Sequence, residues 1–159
     1  DYRDILNFSN TRDSRSCGDN VICNSGDEFE NQIDATSYLD MGGYVCTGTM
    51  LNNTSFDLTP YYWTAWHCIV GENISTFRFY FDYETASCSG SWGSLGTYEY
   101  SGTLLADSDG MDPDYALILI TDNTISDGIF YAGWDSSSSN PTISCGVHHP
   151  NGDPKKIIW

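Results

Sequence analysis

The sequence predicts an all-β fold, an antiparallel barrel or sandwich, on three observations. Short runs rich in Tyr, Phe, Val, Ile and Thr recur from Asn31 onward, separated by clusters of Gly, Asn, Asp and Ser. The clearest run, Thr76-Phe-Arg-Phe-Tyr-Phe-Asp-Tyr, alternates Phe77, Phe79, Phe81 and Tyr83 with Arg78, Tyr80 and Asp82, which gives a strand one dry and one wet face. No window of useful length places apolar residues at helical spacing.

Taken in order, residues 1–30 are polar, charged and aperiodic, and read as an extended arm tied down by Cys17 and Cys23. Strands are expected over 43–51, 61–64, 76–83, 97–106, 115–121, 129–134 and 142–148, with a single helical turn at 65–68. The glycine-rich stretch Ser89-Gly-Ser-Trp-Gly-Ser-Leu-Gly is a turn region, and regular strand spacing around it favours a barrel or sandwich. Ser136 to Ser139 form a short polar loop rather than a domain boundary, and there is no internal repeat.

Composition narrows the function classes. With 159 residues the chain can bury one core, or one barrel and the opening of a second. Its 22 acidic and 6 basic residues give a net charge of -16, which excludes nucleic acid as a partner because phosphate neutralisation needs clustered Lys and Arg. Six cysteines without a C-x-x-C pair point to disulfides rather than a zinc or redox centre, hence to an oxidising, extracellular compartment. The most apolar run, 115–120, is too short to span a bilayer, and the first residues hold no apolar signal core. The expectation is a soluble, secreted protein whose targeting segment has been removed, with no membrane partner. Asn7, Asn52, Asn53 and Asn73 open N-x-Ser/Thr sequons that matter only in a glycosylating host.

The chemistry centres on His67 and Asp114. Cys46 and Cys68 bracket an apolar run, and His67 stands immediately before the second of them. Asp114 opens Asp-Tyr-Ala-Leu-Ile-Leu-Ile, a continuous apolar strand, so its carboxylate lies at the edge of the core where it can be aimed at an imidazole. A histidine that takes a hydroxyl proton and a carboxylate that fixes its tautomer are two parts of a serine-hydrolase triad. Taken singly, His67 reads as a turn-capping histidine and Asp114 as a turn residue after Pro113; their order and the flanking cysteines favour the catalytic reading.

Several motifs then carry a closer likeness. Ser16-Cys-Gly-Asp-Asn-Val-Ile-Cys23, Cys46-Thr-Gly-Thr-Met-Leu-Asn-Asn-Thr54, Thr64-Ala-Trp-His-Cys68, Ser87-Cys88, Asp114-Tyr-Ala-Leu, Phe130-Tyr-Ala-Gly-Trp-Asp135 and Val147-His-His-Pro-Asn151 together resemble bacterial secreted lysyl endopeptidases. That resemblance implies a chymotrypsin-like double β-barrel serine protease, with the first barrel over 31–128 and residues 129–159 forming the crossover and first strands of an incomplete second. It implies His67 as general base, Asp114 as its orienting partner, disulfides Cys46–Cys68 and Cys23–Cys88, a protein or peptide substrate, and no cofactor. It also implies that Cys17 pairs with the remaining C-terminal part of the same protease. Cys145 departs from the pattern: it pairs with Cys17, pairs outside this chain, or stays free.

The nucleophile is the larger departure. Such enzymes carry a G-x-S-G-x-P serine after the aspartate, and Ser126, Ser136 to Ser139 and Ser144 all lack that context; Ser89 and Ser91 precede Asp114. The expectation is therefore an N-terminal portion of a longer protease whose serine, and whose Lys-selecting pocket, lie beyond this chain. The competing readings are a catalytically inactive protease-like binding or structural module and a lectin-like sandwich. Asp107, Asp109 and Asp112 are a weak calcium candidate whose spacing misses the EF-hand template and reads better as a solvated loop. His148 and His149 are adjacent on a strand and point to opposite faces, so they do not share a metal. Lys155 and Lys156 are expected to be exposed, and the many Trp and Tyr side chains to serve core packing.

Overall fold

A computed structural model of the chain describes residues 18–122 and 125–159. Cys17 and the Asn7 sequon lie outside the described residues. The elements in chain order are β1 (Asp19–Asn20), α1 (Glu30–Ala35), β2 (Thr36–Asp40), β3 (Val45–Leu51), β4 (Tyr61–Thr64), α2 (Trp66–Ile69), β5 (Arg78–Tyr80), β6 (Glu84–Thr85), β7 (Gly93–Ser94), β8 (Glu99–Tyr100), β9 (Gly102–Asp107), β10 (Ala116–Ile120), β11 (Gly146–His148) and β12 (Lys156–Ile158).

The main sheet is antiparallel in the order β8-β5-β2-β3-β4-β10-β9. Its two ends, β8 and β9, are consecutive in sequence and separated only by Ser101, so the sheet curls back on itself. Ser101 makes the corner at φ 68, donates its amide to Phe77 O and accepts from the Thr121 amide, which ties both edges together. A curled sheet leaves few unpaired edge groups, and it needs a tightly filled interior.

Phe77, Phe79, Leu39, Met50, Tyr62, Ala116 and Ile118 fill that interior with no exposed surface. Tyr62 reaches across the sheet to Ser37 Oγ at 2.7 Å, and its ring packs edge-on to Phe79. Gly48 makes room for it: a Cβ there would fall 2.5 Å from the Tyr62 ring. Burial pushes the Tyr62 hydroxyl up, so it stays protonated and can donate.

A second, three-stranded sheet in the order β1-β12-β11 joins residues after Gly18 to the last strands. Val21, Ile33 and Ile157 form its small core. No helix among the described residues is long and apolar enough to cross a membrane.

Four local expectations need correction. The 76–83 run forms a strand only over Arg78–Tyr80, and the 129–134 run contributes a single parallel bridge, Leu51 to Ala132. The 142–148 run is extended only at Gly146–His148. Lys155 and Lys156 are buried, not exposed. Lys155 Nζ donates to Ile33 O at 2.8 Å, Phe81 O at 2.5 Å and Glu84 Oε1 at 2.9 Å, and Lys156 Nζ donates to Asn20 Oδ1 at 2.7 Å. An ammonium tolerates burial when each lost hydration bond is replaced, and here carbonyls and a carboxylate replace them. Desolvation still pushes the Lys155 ammonium pKa down, against the attraction of Glu84.

Candidate active site

The register of the barrel brings the two candidate residues together. Thr64 at the end of β4 pairs with Ala116 at the start of β10, so the chain leaving one strand meets the chain arriving at the other. Thr64 is buried and its hydroxyl donates to Thr47 O on β3 at 2.9 Å, which fixes the exit direction. Ala65 then turns the chain into α2, whose first residues are Trp66 and His67. The Cys46–Cys68 disulfide ties α2 to β3, with Cα atoms 6.3 Å apart. Closing that loop is worth roughly 3 kcal/mol through the restricted unfolded chain. Cys23–Cys88 ties the segment after β1 to the β6–β7 region.

Both carboxylate oxygens of Asp114 are used by His67. The His67 amide donates to Oδ1 at 3.0 Å, and Nδ1 meets Oδ2 at 2.5 Å. Burial alone would raise the Asp114 pKa, but the bonds and charge of His67 together with the Trp66 amide outweigh it and hold the carboxyl below its ordinary value. Asp114 is thus an anion at neutral pH, and an anionic acceptor requires the proton of the imidazole on Nδ1. The lone pair is then on Nε2, which lies 3.5 Å from Cys68 Sγ. An imidazole in this tautomer, with a carboxylate behind it, can take a proton at Nε2 and be stabilised as the cation.

Both side chains remain more than one-third exposed. Two surface depressions, one beside Glu99 and Ser126 and one beside Val21 and Ile33, reach neither residue. Among the described residues, the one convergence of three His, Cys, Asp or Glu donor atoms is Cys46, His67 and Cys68, and both sulfurs are spent in the disulfide. The Asp107, Asp109 and Asp112 carboxylates do not converge; Asp107 Oδ1 instead accepts the Asp109 amide at 2.6 Å. Cys145 is free among the described residues.

His149, read from the sequence only as one of a strand pair, is buried among Tyr38, Tyr83 and Thr47. It stacks on Tyr83 at 5.7 Å, packs edge-on to Tyr38 at 5.5 Å and makes an Nδ1 hydrogen bond with Asp153 O at 2.9 Å. Its Nε2 has no hydrogen-bond partner among the described residues. Trp66, next to His67 in the chain, lies against Gly110 of the Asp109-Gly110 turn; the Asp-Gly dipeptide is a signal for the turn, and no sequence signal marks Trp66.

Comparison with known proteins agrees with the geometry. Residues 11–158 match the family described as lysyl endopeptidase, C-terminal domain. The chain is also 34% identical over 127 residues to lysyl endopeptidase of Pseudomonas aeruginosa, an alignment covering 76% of this chain and 27% of that relative. The chain therefore spans well under two thirds of the relative's length. The curled antiparallel sheet is, with this match, an all-β chymotrypsin-like fold. Since the match runs over nearly all of its residues, the chain belongs to the lysyl endopeptidase family.

Proposed function

We propose that this chain supplies the general base and its orienting carboxylate to a secreted serine endopeptidase. The observation that carries the reading is the two-point grip of Asp114 on His67, one oxygen on the backbone amide and one on Nδ1. A turn-capping histidine has no need of a carboxylate on its ring, whereas a base that must become cationic in the transition state does.

In this mechanism a serine hydroxyl from outside the chain approaches His67 Nε2, loses its proton there and attacks the peptide carbonyl. The imidazolium that forms is held by Asp114, and the same proton then passes to the leaving amine. Residues 31–128 make up the first barrel and 129–159 open the second, whose remainder brings the serine and the Lys-selecting pocket. Cys17 links to that remainder, and the disulfides Cys23–Cys88 and Cys46–Cys68 suit an extracellular setting. Proteins or peptides are the substrates.

A fluorophosphonate probe, which modifies only an activated serine, tests the reading in the full-length protease. Labelling that disappears on His67→Ala supports it. Absence of labelling in the unmutated protein contradicts it and leaves a protease-like binding module.

A further inference from the structure

We propose that Trp66 is a positioning residue for the His67–Asp114 pair, acting through its contact with Gly110; the inference rests on the catalytic reading of that pair. Asp114 is not walled in: its side chain keeps 38% of its surface exposed, and Met111, Asp112 and Pro113 just before it are exposed as well. Its place must be fixed by the loop that leads to it.

That loop turns at Asp109 and Gly110, both in left-handed conformation at φ 48 and 77, and closes with the Met111 amide on Ser108 O at 2.9 Å. This is the Asp-Gly turn that only a residue without a side-chain clash completes easily. Its root is secured by buried Ser108, whose amide donates to Tyr115 O at 3.0 Å and whose hydroxyl oxygen accepts from the Tyr115 amide at 3.4 Å. Its tip lies on Trp66: a Cβ on Gly110 would stand 3.1 Å from Cη2 of the indole and 3.4 Å from Cζ3.

Trp66 therefore acts on the carboxylate through the loop that leads to it. Its ring seats the turn that carries Asp114. Because Trp66 and His67 are successive residues of α2, the base and the loop of its carboxylate move as one unit. Loss of the indole frees the loop tip, and a shift of about 1 Å at a catalytic hydrogen bond costs on the order of 10²-fold in rate.

The test uses the full-length protease with a small peptide substrate and the variants Trp66→Ala, Trp66→Phe and Gly110→Ala. Trp66→Ala is expected to lower kcat on the order of 10²-fold with KM within about twofold. The acidic limb of its kcat/KM profile moves to lower pH, because an imidazolium that loses its carboxylate is a stronger acid. Trp66→Phe restores most of kcat. Gly110→Ala reproduces the defect with Trp66 intact, since the added methyl meets the indole in a backbone conformation that disfavours it.

Unchanged kcat and acidic limb in Trp66→Ala overturn the proposal, as does a loss confined to KM, which would make Trp66 a substrate contact. If Trp66→Ala does not fold, folded Gly110→Ala with wild-type kcat overturns it. The catalytic reading fails separately, through full activity in His67→Ala.

Discussion

Acid should loosen this fold through His149. His149 is 6% exposed, its ring lies against Tyr83 and Tyr38, and among the described residues the ring has a single hydrogen bond, from Nδ1 to the Asp153 carbonyl. Burial pulls its pKa down to about 3, with Lys155 and His148 adding repulsion and the Asp153 carbonyl opposing. In the unfolded chain a histidine takes up its proton near pH 6.5. Between these values the unfolded chain binds more protons than the folded one, so stability falls as pH falls.

At about 1.4 kcal/mol per unit, going from pH 7 to pH 5 costs the fold about 2 kcal/mol through this residue alone. Denaturant unfolding at the two pH values, disulfides intact, compares wild type with His149→Phe, whose ring fills the slot between the tyrosines without titrating. Groups elsewhere cancel in the comparison. Wild type should lose about 2 kcal/mol more than the variant. Parallel losses in the two proteins would show that His149 is solvated or charged in the native state and refute the reasoning.

Two further outcomes follow from the packing. Lys155→Met keeps the stem of the side chain but leaves the Ile33 and Phe81 carbonyls without their ammonium donor, while half-exposed Glu84 is solvated, and should cost about 1–3 kcal/mol of unfolding free energy. Gly48→Ala pushes a methyl to 2.5 Å from the Tyr62 ring and should lower stability by about 1–3 kcal/mol, an effect that Tyr62→Phe does not relieve because Cε1 and Cζ stand as close as the hydroxyl. Thermal or denaturant unfolding checks both.

The sequence made legible what repeats or alternates. The strands at β3, β4 and β10 announce themselves through β-branched, aromatic and aliphatic runs, and the His67–Asp114 contact through the flanking cysteines and the apolar strand that Asp114 precedes. Features that depend on distant partners were not legible. In β2, Ser37 is fully buried because the Tyr62 hydroxyl is its partner, and nothing local to Thr36-Ser-Tyr-Leu-Asp signals that. α1 is too short for a stripe and buries only Ile33 and Ala35. Lys155 and Lys156 look like surface residues because their acceptors lie on other elements, 71 to 136 positions away. The Asp109-Gly110 segment read only as a solvated loop, because the indole it rests on comes from the segment after β4.

The most direct measurement is the second-order rate of fluorophosphonate labelling of the full-length protease with Asp114 intact and as Asp114→Asn. Asparagine preserves the shape of the side chain but neither holds Nδ1 as a donor nor stabilises the imidazolium, so the rate should fall by about 10⁴-fold with the fold unchanged. A rate within a few-fold of wild type would mean that the His67–Asp114 contact is structural and that the base lies elsewhere.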